Sequence, residues 1–311
     1  MKIRYIIACA VLSLLIWCCL FLLVLKKPLT VGLYYDLFKH KTAHAEKSSA
    51  PRFFIIAGSN GFYSHDAGTF EKILNLPATN LSVAVMFPLN YLLERYQSLL
   101  KPGDIVYLPL EYSNYSGGSG KSSFGDVYDI TIERNFSKLS FKRFYNCFAR
   151  FDINTLIESA AESTLAAAGV KPLVTVADLT AYGDISSNTE ENAKPYTSYI
   201  KSIPQATMTF TAADPCIKEF LLRAKNRGIT VIGGLPVNFA DTVVPEEVQN
   251  KIETLFTGNQ ALFIKAPNRS LYLREDFFDT SYHLKRQAQI NHSEIIAREM
   301  LKKYPGLFVK K

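Results

Sequence analysis

Hydrophobic positions in this chain fall into three patterns. The first is an unbroken run from Tyr5 to Leu25, 21 residues without a charge. At ~1.5 Å per helical residue the run spans ~30 Å, the thickness of a bilayer's hydrocarbon core. It predicts a transmembrane helix. A cleaved signal has an apolar region of ~7 to 15 residues ending in small side chains, whereas this run continues through Trp17 and Phe21 and stops at Lys26 and Lys27. The second pattern is a set of short apolar runs: Phe53 to Ala57, Asn80 to Val85, Asp104 to Leu108, Thr230 to Gly234 and Ala261 to Ile264. Continuous runs of this length suit central strands buried on both faces. The third is helical spacing at Gly68 to Ile73, Leu89 to Leu100, Pro215 to Asn226, Glu246 to Phe256 and Ser293 to Lys303. Asp214 as an N-cap, Pro215 in the first turn and Gly228 after a basic end delimit the third of these helices.

Strands alternating with helices predict an α/β fold with three α/β/α layers and a parallel, flavodoxin-like sheet, preceded by one transmembrane helix. The expected organisation is an anchor over 1–27, a tether over 28–50 that turns polar by Lys39, and an α/β domain over 51–311. Within that domain, about 112–213 is too long for an ordinary connection and must carry structure of its own. Asp152 to Ala168 is expected to be helical and Tyr182 to Pro195 a loop. An excursion leaving the carboxyl end of a parallel strand is placed to cover a ligand crevice, as a lid or recognition insert, or else is a helical appendage.

Charge alters the picture only once it is located. The chain carries 35 basic and 28 acidic residues, a formal +7. Residues 1–50 hold seven basic and two acidic side chains, and the last ten residues hold four lysines and no acid, leaving about −2 for the 251 residues between. A nearly neutral body favours an uncharged ester or glycan ligand over nucleic acid. Lysines on both sides of the apolar run leave orientation undetermined by the positive-inside rule. Three of the five cysteines lie in the anchor, leaving Cys147 and Cys216 as a possible disulfide pair or as free thiols.

Candidate chemistry sits at the two ends of the α/β domain. Gly58-Ser59-Asn60 follows the first strand directly, and Asp279-Thr280-Ser281-Tyr282-His283-Leu284 follows the last. In a parallel sheet both emerge at one edge. A hydroxyl becomes a nucleophile when a neighbouring imidazole takes its proton, and the imidazole works better when a carboxylate fixes its tautomer. Ser59, His283 and Asp279 are the candidates for these roles. His65 is read as a surface-loop residue, and His40 and His44 as solvated tether residues. Glu111 is either a buried carboxylate of raised pKa or a strand-end partner for a basic group.

The block Ile55-Ile56-Ala57-Gly58-Ser59-Asn60 together with Asp279 to His283 resembles the SGNH (GDSL-like) hydrolase superfamily. With the anchor and Leu108-Pro109-Leu110-Glu111-Tyr112, it resembles membrane-anchored members associated with bacterial exopolysaccharide or cellulose production. The resemblance implies Ser59 as acyl-accepting nucleophile, His283 as its base and Asp279 as the orienting acid, with no metal or organic cofactor. It implies an inner-membrane protein whose carboxyl-terminal domain faces the periplasm. The substrate would be a polysaccharide or other acyl ester, and a polysaccharide synthase or membrane acyltransferase a possible partner. The chain departs from the family at three points. Asp279-x-x-x-His283 is one residue longer than the family's Asp-x-x-His, which leaves Asp276 as an alternative acid. Only the Ser82 amide stands near the second-block glycine. Glu111 stands where the third block supplies an asparagine, so the oxyanion donor is Asn60 or Asn114, or the catalyst is slow. Gly117 to Ser122 contains Gly-Lys-Ser, but Tyr115 stands where a phosphate loop needs its first glycine.

Overall fold

The computed structural model describes residues 2–26, 29–84, 87, 89–115, 174–194 and 213–308, with scattered positions between 141 and 170. The chain divides into two compact units, Met1–Leu37 with Ser123–Thr175, and Phe38–Ser122 with Val176–Lys311.

In the first unit, α1 (Lys2–Lys26) is an uninterrupted helix. Its stretch Ile3–Leu22 has a mean hydropathy of 2.6 and is almost wholly exposed, long and apolar enough to cross a membrane. In the stretch expected to be helical from Asp152 to Ala168, the described positions Ile153, Ile157, Ala160, Ala161, Thr164, Leu165 and Ala167 are helical.

The second unit is built on five parallel strands: β1 (Phe53–Ile55), β2 (Ala78–Asn80), β3 (Ile105–Leu108), β4 (Thr230–Gly234) and β6 (Leu262–Ile264), in the order β2-β1-β3-β4-β6. Phe53 lies opposite Ala78 on one side and Ile105 on the other, and Ile232 opposite Leu262. This is the expected flavodoxin-like order, with β1 at the point where the strand sequence reverses and ligands of open α/β sheets bind. A second pair, β5 (Asn238–Phe239) with β7 (Leu271–Tyr272), is also parallel and was not expected from the pattern. The second strand is displaced from its predicted position. It ends at Asn80, because Leu81 to Ala84 leave the ladder as irregular chain while staying buried.

Helices cover both faces. On one, α4 (Ala67–Leu74) and α8 (Arg286–Lys303) pack Phe70, Leu74, Ile296 and Met300 against Phe53, Ile55, Tyr107 and Ile232. Phe53 stacks on Phe70 at 4.9 Å. On the other, α5 (Leu89–Gln97), α6 (Ala213–Asn226) and α7 (Glu246–Thr257) bury Leu92, Phe220 and Phe256. Each fully buried side chain of this kind stabilises by about 1.5–3 kcal/mol. Helix α6 begins at Ala213, so Asp214 lies within it, and Gly228 takes φ +67° after its end as expected.

The expected tether is largely a helix, α2 (Leu29–Ala45). Its Phe38 is fully buried against Phe87, Tyr91 and Tyr96, with the Arg95 guanidinium 4.3 Å from its ring centre. Local sequence reads as polar here because the apolar surface that receives Phe38 comes from α5, fifty residues on. His40 and His44 are accordingly not free in solvent. His40 Nε2 lies 3.2 Å from the Thr180 carbonyl, and His44 Nδ1 lies 2.9 Å from Thr79 Oγ1. Cys216 is a free thiol whose pKa burial raises to about 11, and Cys147 lies outside the described residues, as does the Gly117 to Ser122 loop.

Candidate active site

Strand β1 ends at Ile55, and the chain turns through Gly58 into α3 (Ser59–Ser64), a helix that is not among those the sequence pattern predicts. Gly58 caps it, so Ser59 is its first residue, half-buried at the carboxyl edge of the sheet's switch point. The turn admits no side chain at 58, since a Cβ would come within 2.5 Å of Glu111 Oε1.

Glu111, from the end of β3, is 1% exposed. Its Oε1 accepts from the Asn60 amide at 2.8 Å, and its Oε2 from the Gly58 amide at 3.3 Å and from Asn114 Nδ2 at 2.9 Å. One carboxylate thus clamps both sides of Ser59. Burial raises its pKa above the ordinary 4.5, while the Asn60, Glu111 and Gly58 amides and the charge of His283 pull the other way. That settles the sequence alternatives for Glu111 in favour of the buried carboxylate.

The second half of the site is the turn between Phe277 and Leu284, which bridge to each other. Phe278 N donates to the His283 carbonyl at 2.8 Å and His283 N to the Thr280 carbonyl at 3.3 Å. Within it, Asp279 Oδ1 lies 2.6 Å from His283 Nδ1, so the four-residue spacing brings acid and imidazole into direct contact. Asp276, the alternative acid, instead accepts from the Leu273 amide through Oδ2 at 3.2 Å. Tyr63 of α3 stacks on the imidazole, with ring centres 4.1 Å apart and planes 11° from parallel.

Ser64 ties the halves together. Its hydroxyl donates to the Tyr282 carbonyl at 2.7 Å and accepts from the Leu284 amide at 3.1 Å. The helix that begins at Ser59 therefore grips the turn that carries His283, across 224 positions of sequence. Among the described residues no hydrogen bond joins Ser59 Oγ to His283, and catalytic hydrogen bonds of unliganded sites often close only with substrate.

The oxyanion candidates are placed close by but engaged elsewhere. Asn60 Nδ2 donates to the Pro109 carbonyl at 2.7 Å and its Oδ1 accepts from the Val237 amide at 3.1 Å, pinning α3 to the ends of β3 and β4. The Ser82 amide donates to Asn80 Oδ1 at 3.0 Å, and its Oγ accepts from the Ala57 amide at 3.0 Å. Asn114 Nδ2 serves Glu111.

His65 is fully buried, not on a surface loop. It lies against Tyr107 and, at 4.9 Å between ring centres, His292. Burial lowers its pKa to about 3, which keeps it neutral. The sequence also gave no warning of Lys41. This α2 ammonium is fully buried, donates to the Asn80 carbonyl at 2.9 Å and to that of Gly183, and sits 4.3 Å over the Phe62 ring. Burial lowers it to about 7, with Asp184 opposing. Asp184 accepts from the Ala67 amide and Asn80 Nδ2, and so fastens the 176–194 segment to the start of α4 and the end of β2.

A cavity of about 250 Å³ adjoins the His283 turn, lined among others by Lys194, Phe239, Arg274, Phe277 and Lys285. A larger hollow of about 900 Å³ between α6 and α7 is broad and shallow, and neither Ser59 nor His283 lines it.

A scan against protein-family models finds no match, and a search of curated proteins finds none. Among solved structures the chain is similar to the crystal structure of protein YxiM from Bacillus subtilis, with 10% identity and a TM-score of 0.39 over 82% of this chain. The chain spans 57% of the length of YxiM, and a likeness of this size carries no argument about residues or activity.

Proposed function

We propose that this protein is a membrane-anchored serine hydrolase or acyltransferase of SGNH type. In this reading the domain faces the bacterial periplasm and acts on O-acyl groups, O-acetyl above all, of an exopolysaccharide such as cellulose. The observation that carries the reading is the Asp279–His283 contact of 2.6 Å on a turn that Ser64 fastens to the Ser59 helix. Asp279 holds Nδ1, leaving Nε2 to take the Ser59 proton. Ser59 Oγ then attacks the acyl carbonyl, and the resulting imidazolium returns its proton to the departing sugar oxygen, leaving an acyl-serine. Water or a second sugar hydroxyl accepts the acyl group. The nearly neutral body of the domain suits an uncharged glycan.

The test is turnover of a chromogenic acetyl ester by the full-length chain in detergent. Loss of turnover in Ser59→Ala is expected; turnover that survives the substitution overturns the assignment of the nucleophile.

A second reading has its own support. Glu111 places a carboxylate on the amides flanking Ser59, and Asn60, Ser82 and Asn114 all donate within the protein. Loss of one oxyanion donor costs ~10²- to 10³-fold in rate. A polysaccharide-binding or scaffold subunit of an export complex would tolerate that loss. It is the better description if Ser59→Ala leaves polymer acetylation in cells unchanged while deletion of the insert abolishes it.

A further inference from the structure

Helix α3 is too short to hold itself. It has six residues, and an isolated helix below ~12–15 residues is marginal in water. Glu111 grips its first turn, but its last four carbonyls have no partner within the helix. This carbonyl half carries the contacts to the catalytic base: Tyr63 stacks on the His283 ring, and Ser64 holds the turn through Tyr282 and Leu284. Among the described residues three donors reach it from outside. Asn80 Nδ2 lies 2.8 Å from the Gly61 carbonyl. The Ile185 amide lies 3.5 Å from that of Phe62, and Asn188 Nδ2 3.4 Å from that of Tyr63, both at the outer limit of a hydrogen bond. Asn80 thus supplies the one bond of ordinary length. Its Nδ2 also reaches the carbonyl of His65, just past the helix, at 3.3 Å, which Gln289 Nε2 shares at 2.8 Å.

We propose that Asn80 is the positioning residue that sets the separation of Ser59 and His283, acting through the carbonyl half of α3, and that Lys41 holds Asn80 in place. The inference rests on the reading of Ser59 and His283 as nucleophile and base. Asn80 is fully buried and its amide is fixed at both ends. Its Oδ1 accepts from the Ser82 amide at 3.0 Å, and its Nδ2 donates to Asp184 Oδ1 at 3.0 Å, so the donor side can face only Gly61. Lys41 Nζ fixes the backbone, donating to the Asn80 carbonyl at 2.9 Å and to that of Gly183 while lying 4.3 Å over the Phe62 ring of α3. Gly183, at φ +88°, admits this approach, since a Cβ there would stand 2.9 Å from Lys41 Cγ and 2.8 Å from the Asn80 carbonyl oxygen. Burying an ammonium is costly, and an apolar side chain of similar volume would fill the space without that cost. What the ammonium adds is direction.

The test is Asn80→Asp in the full-length chain in detergent, which keeps the shape and puts an oxygen where the donor faced Gly61. Deuterium uptake is read by mass spectrometry over Ser59 to His65 and over Phe278 to Leu284, with Phe53 to Ala57 as the reference, beside steady-state turnover of a chromogenic acetyl ester. Uptake over the helix and the turn is expected to rise severalfold while the reference stays unchanged, because loss of folded molecules would raise all three. In the same sample kcat is expected to fall ~10- to 10²-fold at unchanged KM, the effect of a displacement of about 1 Å. If the reference also rises, Lys41→Met carries the test on the same criteria, and a raised reference in both variants overturns the proposal by making these contacts part of the core. Unchanged uptake over α3 overturns it whatever the turnover. Raised uptake with unchanged kcat overturns it by reducing Asn80 to a structural residue. Absence of Ser59-dependent turnover in the wild-type chain instead overturns the hydrolase reading, and uptake over the helix and the turn then decides alone whether Asn80 holds them together.

Discussion

Replacing Gly58 with alanine drives a methyl group into the Glu111 carboxylate. A Cβ at 58 lies 2.5 Å from Oε1 and 3.0 Å from Oε2, where ordinary contact begins at 3.4 Å, so the carboxylate must retreat by about 0.9 Å. The φ at Gly58 is −78°, outside the left-handed region. The retreat stretches the 2.8 Å bond from the Asn60 amide and the 3.3 Å bond from the Gly58 amide beyond useful length. Overpacking costs about 1–3 kcal/mol, and a lost hydrogen bond to a charged group about 1.5–3 kcal/mol. The expected loss in unfolding free energy is therefore about 3 kcal/mol. Urea titration of the detergent-solubilised chain, followed by near-ultraviolet circular dichroism, measures it; the 17 tyrosines supply the signal. Truncating the carboxylate removes the collision, so Gly58→Ala combined with Glu111→Ala is expected to cost at least ~1 kcal/mol less than the two single costs together. Additivity of the two, or a Gly58→Ala cost below ~0.5 kcal/mol, would refute the clamp.

Two further substitutions address the same machinery. Asp279→Asn preserves shape but offers His283 Nδ1 the wrong partner, so ester turnover is expected to fall by ~10²- to 10⁴-fold; unfolding should change by less than ~1 kcal/mol because the acid is about one-third exposed. Unaltered turnover would remove Asp279 from the site. Burial raises the Glu111 carboxyl above 4.5, so between 4.5 and its raised value the folded chain holds more protons than the unfolded one. Stability from this group is thus full below pH 4.5 and lost as pH rises through the folded value. Glu111→Gln is expected to flatten that part of the stability profile measured by thermal unfolding, and an unchanged slope would contradict the burial account.

Much of the fold is legible because a parallel strand buried on both faces must be apolar throughout. Thr230 to Gly234 was readable to the residue, and Glu246 to Phe256 and Pro215 to Asn226 to within two residues. The site was legible as residue types at strand ends. Ser59, His283 and Asp279 fall where the topology places chemistry, and the contact of Asp279 with His283 follows from their spacing on a closed turn. What was hidden depends on distant partners. Nothing near Phe38 or Lys41 announces burial, because their cover comes from α5, from Phe62 and from Gly183. His65 looks like a loop histidine until His292 of α8 closes over it. Asn60 and Ser82 carry the right donor groups for an oxyanion, and only the folded chain reveals that Pro109 and Asn80 already accept from them.

The central claim is that Ser59 is a nucleophile whose base is His283. Its most direct test is treatment of the full-length chain with a fluorophosphonate, followed by intact-mass measurement and peptide mapping. The account requires a single adduct on Ser59, absent in Ser59→Ala and strongly slowed in His283→Ala. An adduct on another residue, or no adduct under conditions that label a control serine hydrolase, would contradict it.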